Sequence, residues 1–142
     1  MNIDATNLIY GRLASYAAKQ ALLGKTITIF NCEKAVMTGD KKDITQKYRK
    51  RRELGQPIHG PFIQRMPDRF MRRGIRGMLP YKMPKGKEAF QRVMCYIGVP
   101  AKHKEVKLDT LPKINITQSG ARKFIAVGEL CSWLGGKHES HY

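Results

Sequence analysis

The chain has 142 residues, 27 of them Lys or Arg and 11 Asp or Glu, which gives a formal net charge of +16. This length suits one domain whose core removes roughly two thirds of the unfolded surface from water, and an apolar fraction of 42% excludes a wholly disordered basic tail. The chain has no run of about 18 uncharged apolar residues to span a membrane, and Asp4 stands where a secretory signal would carry a cation, so a soluble intracellular protein is expected.

In chain order, Met1 to Ala5 reads as a short edge strand. Gly11 to Leu23 reads as a helix, because Leu13, Ala17 and Ala21 repeat at four with Ala14, Ala18 and Leu22 beside them. Its face is mostly alanine, so a sheet can approach it closely, and Gly24 is the expected stop. Thr26 to Asn31 is β-branched and aromatic and predicts a strand. Thr38, Gly39 and Asp40 supply turn and cap residues before a helix over Lys41 to Arg52, in which Ile44 and Tyr48 stand four apart among polar residues. Glu53 to Met66 has two prolines, two glycines and no helical period, and reads as an extended loop. Pro67 and Asp68 open a helix that Pro80 closes. Pro84 starts another, through about Val93, followed by a strand over Met94 to Ile97 that Gly98 and Pro100 end. Ala101 to Gly120 shows no regular pattern. Lys123 to Val127 reads as a strand and Gly128 to Leu134 as a short helix stopped by Gly135 and Gly136. The tail from Lys137 to Tyr142 is expected to be mobile. Alternating strands and helices predict an α/β fold with a mostly parallel sheet.

The charge is concentrated. Residues 41 to 107 hold 19 of the basic and five of the acidic side chains, and the other 75 residues hold eight and six. Such an excess predicts a docking surface for a polyanion. Its sharpest part is the helix from Pro67. Arg69, Arg72, Arg73 and Arg76 fall at i, i+3, i+4 and i+7, on one face, and Met71, Ile75 and Met78 fall roughly opposite. One face can enter a core while the other presents four guanidiniums, whose planar forks suit phosphate. Only Asp68 is near in sequence to offset them. Tyr48 to Arg52 and the group Lys82, Lys85, Lys87 and Arg92 flank this stripe. His59, Phe62 and Tyr81 interleave rings able to stack on an unpaired base.

Other chemistries lack their residues. Cys32, Cys95 and Cys131 are odd in number and widely spaced, so free thiols are expected and a zinc site is not. Gly24-Lys25-Thr26 copies the end of a phosphate-binding loop, but Lys19 occupies the required first glycine and a helix precedes it. Dinucleotide glycines are absent. Glu33 follows a strand without a paired acid or histidine near in sequence. Asn115-Ile116-Thr117 matches a glycosylation sequon by spelling only.

Three blocks of the chain resemble the large-subunit ribosomal protein family thirteen. They are Asp4 through Gly11-Arg12-Leu13-Ala14; Asn31 through Glu33-Lys34-Ala35-Val36 and Thr38-Gly39; and Ile75-Arg76-Gly77-Met78-Leu79-Pro80, with Gly86-Lys87, Ala89, Val93, Tyr96 and Gly98. Val127-Gly128-Glu129 and Leu134-Gly135-Gly136 look like archaeal members, as does a first helix running straight into its strand and the lack of a C-terminal extension. Cys32 stands where small residues are common and Tyr81 where Trp is frequent. The resemblance implies a three-layer α/β/α body, with a sheet of about four strands, carrying basic helices and a loop. It implies a structural constituent of the large ribosomal subunit that binds large-subunit rRNA, acts early in subunit assembly, sits in the cytoplasmic ribosome beside other large-subunit proteins, and needs no catalysis, cofactor, metal, membrane or small-molecule substrate. The whole of 1–142 is then one rRNA-binding domain with a basic insert-like region at 41–107. The side chains expected to meet RNA are Arg12, Lys34, Lys47, Arg49, Lys50, Arg51, Arg52, Arg65, Arg69, Arg72, Arg73, Arg76, Lys82, Lys85, Lys87 and Arg92, with His59, Phe62 and Tyr81 for stacking. Two alternatives stay open: an architectural nucleic-acid-binding protein and an RNA-modifying enzyme using Glu33 or a loop acid.

Overall fold

The computed structural model describes residues 1–138. The expected mobile tail falls largely on 139–142, outside the described residues. Strand β1 (Asn2–Asp4) leads into helix α1 (Tyr10–Leu22) and returns as strand β2 (Ile27–Phe30). Helix α1 buries Leu13, Ala14, Ala17, Ala18 and Ala21. Its small side chains allow close contact with the core. Gly24 takes φ +91°, a left-handed turn that directs the chain into β2.

Strand β4 (Val93–Cys95) lies on the other edge of β2. The parallel sheet has the order β1-β2-β4, with Ile3 opposite Ile29 and Ile29 opposite Cys95. The α/β class is as expected, but the sheet has three strands rather than about four. After β2, Asn31 adopts a left-handed conformation (φ 55°) and a turn of 3-10 helix covers Cys32–Lys34. This swings the chain off the sheet. Strand β3 (Val36–Thr38), unforeseen in the sequence, instead pairs antiparallel with β5 (Phe124–Ala126) as a separate ribbon.

Parallel neighbours cannot be joined by a tight hairpin and need a long crossover. Between β2 and β4 that crossover carries β3 and three helices: α2 (Lys41–Glu53), α3 (Pro67–Gly77) and α4 (Pro84–Gln91). Most of the basic residues therefore lie in the connection of the sheet itself. Register and alternation put Ile3, Ile27, Ile29, Val93 and Cys95 on one sheet face, all buried. They join Met71 and Ile75 of α3, Ala89 of α4, and Val127, Leu130 and Cys131 of α6 (Val127–Trp133) in one core. Each fully buried side chain of this size contributes about 1.5–3 kcal/mol. On the opposite face Phe30 stacks on Tyr96 at 5.7 Å and meets His103 at 5.3 Å.

One expectation about α3 needs correction. Met78 is 45% exposed, because the helix ends at Gly77 and Met78 no longer follows its inner face. Phe70 is buried with Met71 and Ile75 in its place. The unpatterned segment before β5 contains short 3-10 turns at Ala101–His103 and Pro112–Ile114, then the one-turn helix α5 (Ile116–Ser119). Asn115, the sequon residue, caps α5 by accepting from the Thr117 amide. The three cysteines are free and buried. Burial pushes the Cys32 thiol up and that of Cys131 up to about 12, so both stay protonated and unreactive near neutral pH.

Candidate nucleic-acid interface

Helix α3 is the most completely built part of the surface. Pro67 starts it and Phe70, Met71 and Ile75 anchor it, which fixes the direction of the opposite face. Arg69, Arg72, Arg73 and Arg76 line an open groove of about 250 Å³ with Gln64 and Phe90. Three of the four guanidiniums are held by neutral groups. Arg72 Nε donates to the Val93 carbonyl at 3.1 Å, and its guanidinium lies 4.4 Å from the Phe90 ring centroid. Arg73 Nη1 donates to the Phe62 carbonyl at 2.7 Å. Arg76 lies 4.5 Å from the Tyr81 ring centroid. A guanidinium has five N–H donors, so each keeps most of its donors for an external anion.

The ion pairs among the described residues lie elsewhere: Lys41 with Glu129, Arg49 with Glu53, Arg92 with Glu88, and Lys123 with Asp40. None involves the α3 quartet. The nearby acid, Asp68, sits in the first turn of α3, where its charge complements the helix dipole.

Helix α2 presents its cations differently. It has no fully buried residue, and only Ile44 and Tyr48 lean on the core. Its first turn is pinned: Asp40 accepts from the Lys42 amide at 3.0 Å and from Lys123 Nζ at 2.8 Å, and Lys41 contacts Glu129. Lys47, Arg49, Lys50, Arg51 and Arg52 are all exposed further along. Arg51 lies 5.3 Å from the Tyr48 ring centroid. Arg65 is exposed in the loop before α3.

Lys82, Lys85 and Lys87 are exposed around the start of α4. Arg92 is half-buried and donates to the Ala21 carbonyl at 3.2 Å, tying the end of α4 to the end of α1. Arg12 and Lys34 are exposed on the body. Of the stacking candidates, His59 is exposed, Phe62 is 64% exposed in the loop, and Tyr81 has one face covered by Arg76. The sequence had not pointed to Phe90 or Gln64. Their place beside the arginines comes from long-range packing, which carries no local signal.

The acid considered for catalysis is committed to structure. Glu33 Oε2 accepts from the Gly98 amide at 3.1 Å. Among the described residues no three His, Cys, Asp or Glu come together to hold a metal, and no helix is long and apolar enough to cross a membrane.

A profile of the family described as Ribosomal protein L13 matches residues 1–102. A Large ribosomal subunit protein uL13 from Methanococcus maripaludis is 46% identical over 140 residues, covering 95% of this chain and 97% of that protein. The uL13 of Natronomonas pharaonis is 44% identical over 133 residues, covering 94% and 89%. That of Methanosarcina barkeri is 42% identical over 136 residues, covering 95% and 97%.

Proposed function

Because the chain belongs to the ribosomal protein L13 (uL13) family, a family of structural, non-enzymatic constituents of the large ribosomal subunit, we propose that it binds large-subunit rRNA directly through the crossover helices and helps early in subunit assembly. The observation that carries this reading is the α3 quartet: four arginines on one face, anchored from below, without a carboxylate partner among the described residues. Phosphate contacts there release counterions and supply most of the attraction. Selectivity comes from the shape of folded RNA, its 2′-hydroxyls and its unpaired bases. The cations of α2, the loop arginine Arg65 and the lysines near α4 extend the surface; Arg12, Lys34 and Arg92 border it. His59, Phe62 and Tyr81 offer ring surface beside these cations.

Residues 1–142 act as one rRNA-binding domain in the cytoplasmic ribosome. This is supported by α3 and α4 sharing a core with β1, β2 and α6. Neighbouring large-subunit proteins are the second partner class. An architectural DNA binder would explain the charge but gives no account of the family match.

The test is a filter-binding titration of the intact protein against an archaeal large-subunit rRNA transcript at several salt concentrations. Replacing Arg69, Arg72, Arg73 and Arg76 by Gln is expected to weaken binding. Each lost phosphate contact makes the log–log salt slope shallower by about 0.7–0.9. The variant should keep its fold. An unchanged slope would overturn the assignment of this stripe.

A further inference from the structure

A second concavity lies behind the arginine stripe, between α2, α3 and the loop that joins them. It holds about 330 Å³, within the range of small-molecule pockets. Its aromatic lining is Tyr10, Tyr48 and Phe70. These rings pack at 5.4 Å (Tyr10–Phe70) and 5.3 Å (Tyr48–Phe70), tilted by 41° and 56°. Leu54, Pro61 and Ile63 supply apolar walls from the loop. Gly74 and Gly77 leave gaps on the α3 side between the side chains of Phe70 and Arg73 and the end of the helix. At Gly74 this is forced, since any Cβ would collide with the Tyr10 hydroxyl. At Gly77 it is not, since a Cβ there would meet nothing within 4 Å. Among the described residues the charged lining is two arginines, Arg51 and Arg73, with no acid, and the side-chain amide is Gln64.

An apolar aromatic hollow edged by two guanidiniums suits a flat heterocycle that carries a phosphate. We propose that this hollow receives one unpaired nucleobase of the bound RNA, with Arg51 and Arg73 on its flanking phosphates and Gln64 towards the base edge. The proposal rests on the RNA-binding reading and deepens it. A base within a duplex is stacked and paired, so its face is unavailable. A base in a loop or bulge can be splayed out and stacked on protein rings. The rings are already packed against one another, so little ordering is needed when a base enters.

The experiment measures fluorescence anisotropy of the intact protein on two ten-nucleotide probes of equal charge, oligo(A) and an abasic ribose–phosphate chain. The parent is expected to bind oligo(A) about tenfold more tightly, the scale of one stacked base. Gly77→Leu fills the hollow from its open side and should bring that ratio close to one, with abasic binding unchanged. Gly77→Ala, which adds only the unobstructed Cβ, should lower the ratio partway and serves if the leucine variant melts early. Equal binding of the two probes by the parent, or a full preference retained in Gly77→Leu, overturns the base site. If the abasic probe binds with no salt dependence, the broader RNA-binding reading fails instead.

Discussion

The charged side chains of the body and those of α3 are used in opposite ways. In the body three acids are tied into the fold. Asp4 accepts from Thr6 and Asn31, Glu33 accepts from the Gly98 amide, and Asp40 pairs with Lys123. In α3 the four arginines lie close together with no ion pair to an acid among the described residues, and the contacts of Arg72, Arg73 and Arg76 go to carbonyls and ring faces. A carbonyl or a ring orients a guanidinium without cancelling its charge. The body thus spends its charge on folding, and α3 keeps its charge for a partner.

That contrast is broken most severely by putting an acid on the wrong side of α3. Ile75 is fully buried, and Ile75→Asp places an unpaired carboxylate in the core. The expected cost is about 4 kcal/mol or more, enough to unfold much of the protein. The same change at Ile44 of α2, which is only half-buried, should cost about 1–2 kcal/mol. Urea unfolding followed by circular dichroism compares the two. Equal midpoints would mean that α3 is no better anchored than α2.

The next effect sharpens the comparison on the outer side. If α3 works through oriented forks, Arg73→Lys with Arg76→Lys keeps the charge but loses two-point grips. Transcript binding should weaken by about 1–2 kcal/mol while the salt slope stays as in the parent. The matched change on α2, Arg49→Lys with Arg52→Lys, should leave affinity within about twofold, since those side chains project from a helix without buried anchors. Similar losses on both helices would show that orientation is not what distinguishes them.

How much of this the sequence disclosed follows the range of the forces involved. Helix α1, its stop at Gly24 and strand β2 were legible because alanine spacing, glycine and β-branched residues act locally. The arginine stripe was legible because helical periodicity converts spacing into a face. Strand β3 was hidden: it is three residues long, its end overlaps a turn signal at Thr38-Gly39, and its pairing with β5 spans nearly 90 residues of chain. The size of the parallel sheet was overestimated for the same reason, since alternation predicts strands but not the ribbon to which each belongs. The hollow lined by Tyr10, Tyr48 and Phe70 was invisible, because three segments far apart in the chain build it. Arg92 carried the same local signal as its neighbours, yet its bond to the Ala21 carbonyl spans 71 positions.

Changes in the body should move stability and leave the salt slope alone. Gly24 has φ +91° and open space where a Cβ would stand, so Gly24→Val carries a purely backbone penalty. About 1–2 kcal/mol is expected from thermal melts. A melt matching the parent would mean that the helix end relaxes into another turn without cost.

The smallest effect is the most selective. Burial raises the Asp4 pKa, but hydrogen bonds from Thr6 and Asn31 and the nearby Lys34 charge outweigh it, so the carboxyl stays below its usual range. The native state therefore binds this proton less readily than the unfolded chain, whose value is about 3.9. The stability this provides is complete above that value and is lost as pH falls through the folded one. Asp4→Ala should cost about 0.5–1 kcal/mol near neutral pH, because the group is partly exposed and its bonds are screened. The gap between variant and parent should narrow below about pH 4 and close in stronger acid. A gap that widens in acid would mean that Asp4 is held protonated in the fold. A shallower salt slope in the same variant would erase the division between body and α3, because a body carboxylate would then be acting on the RNA surface.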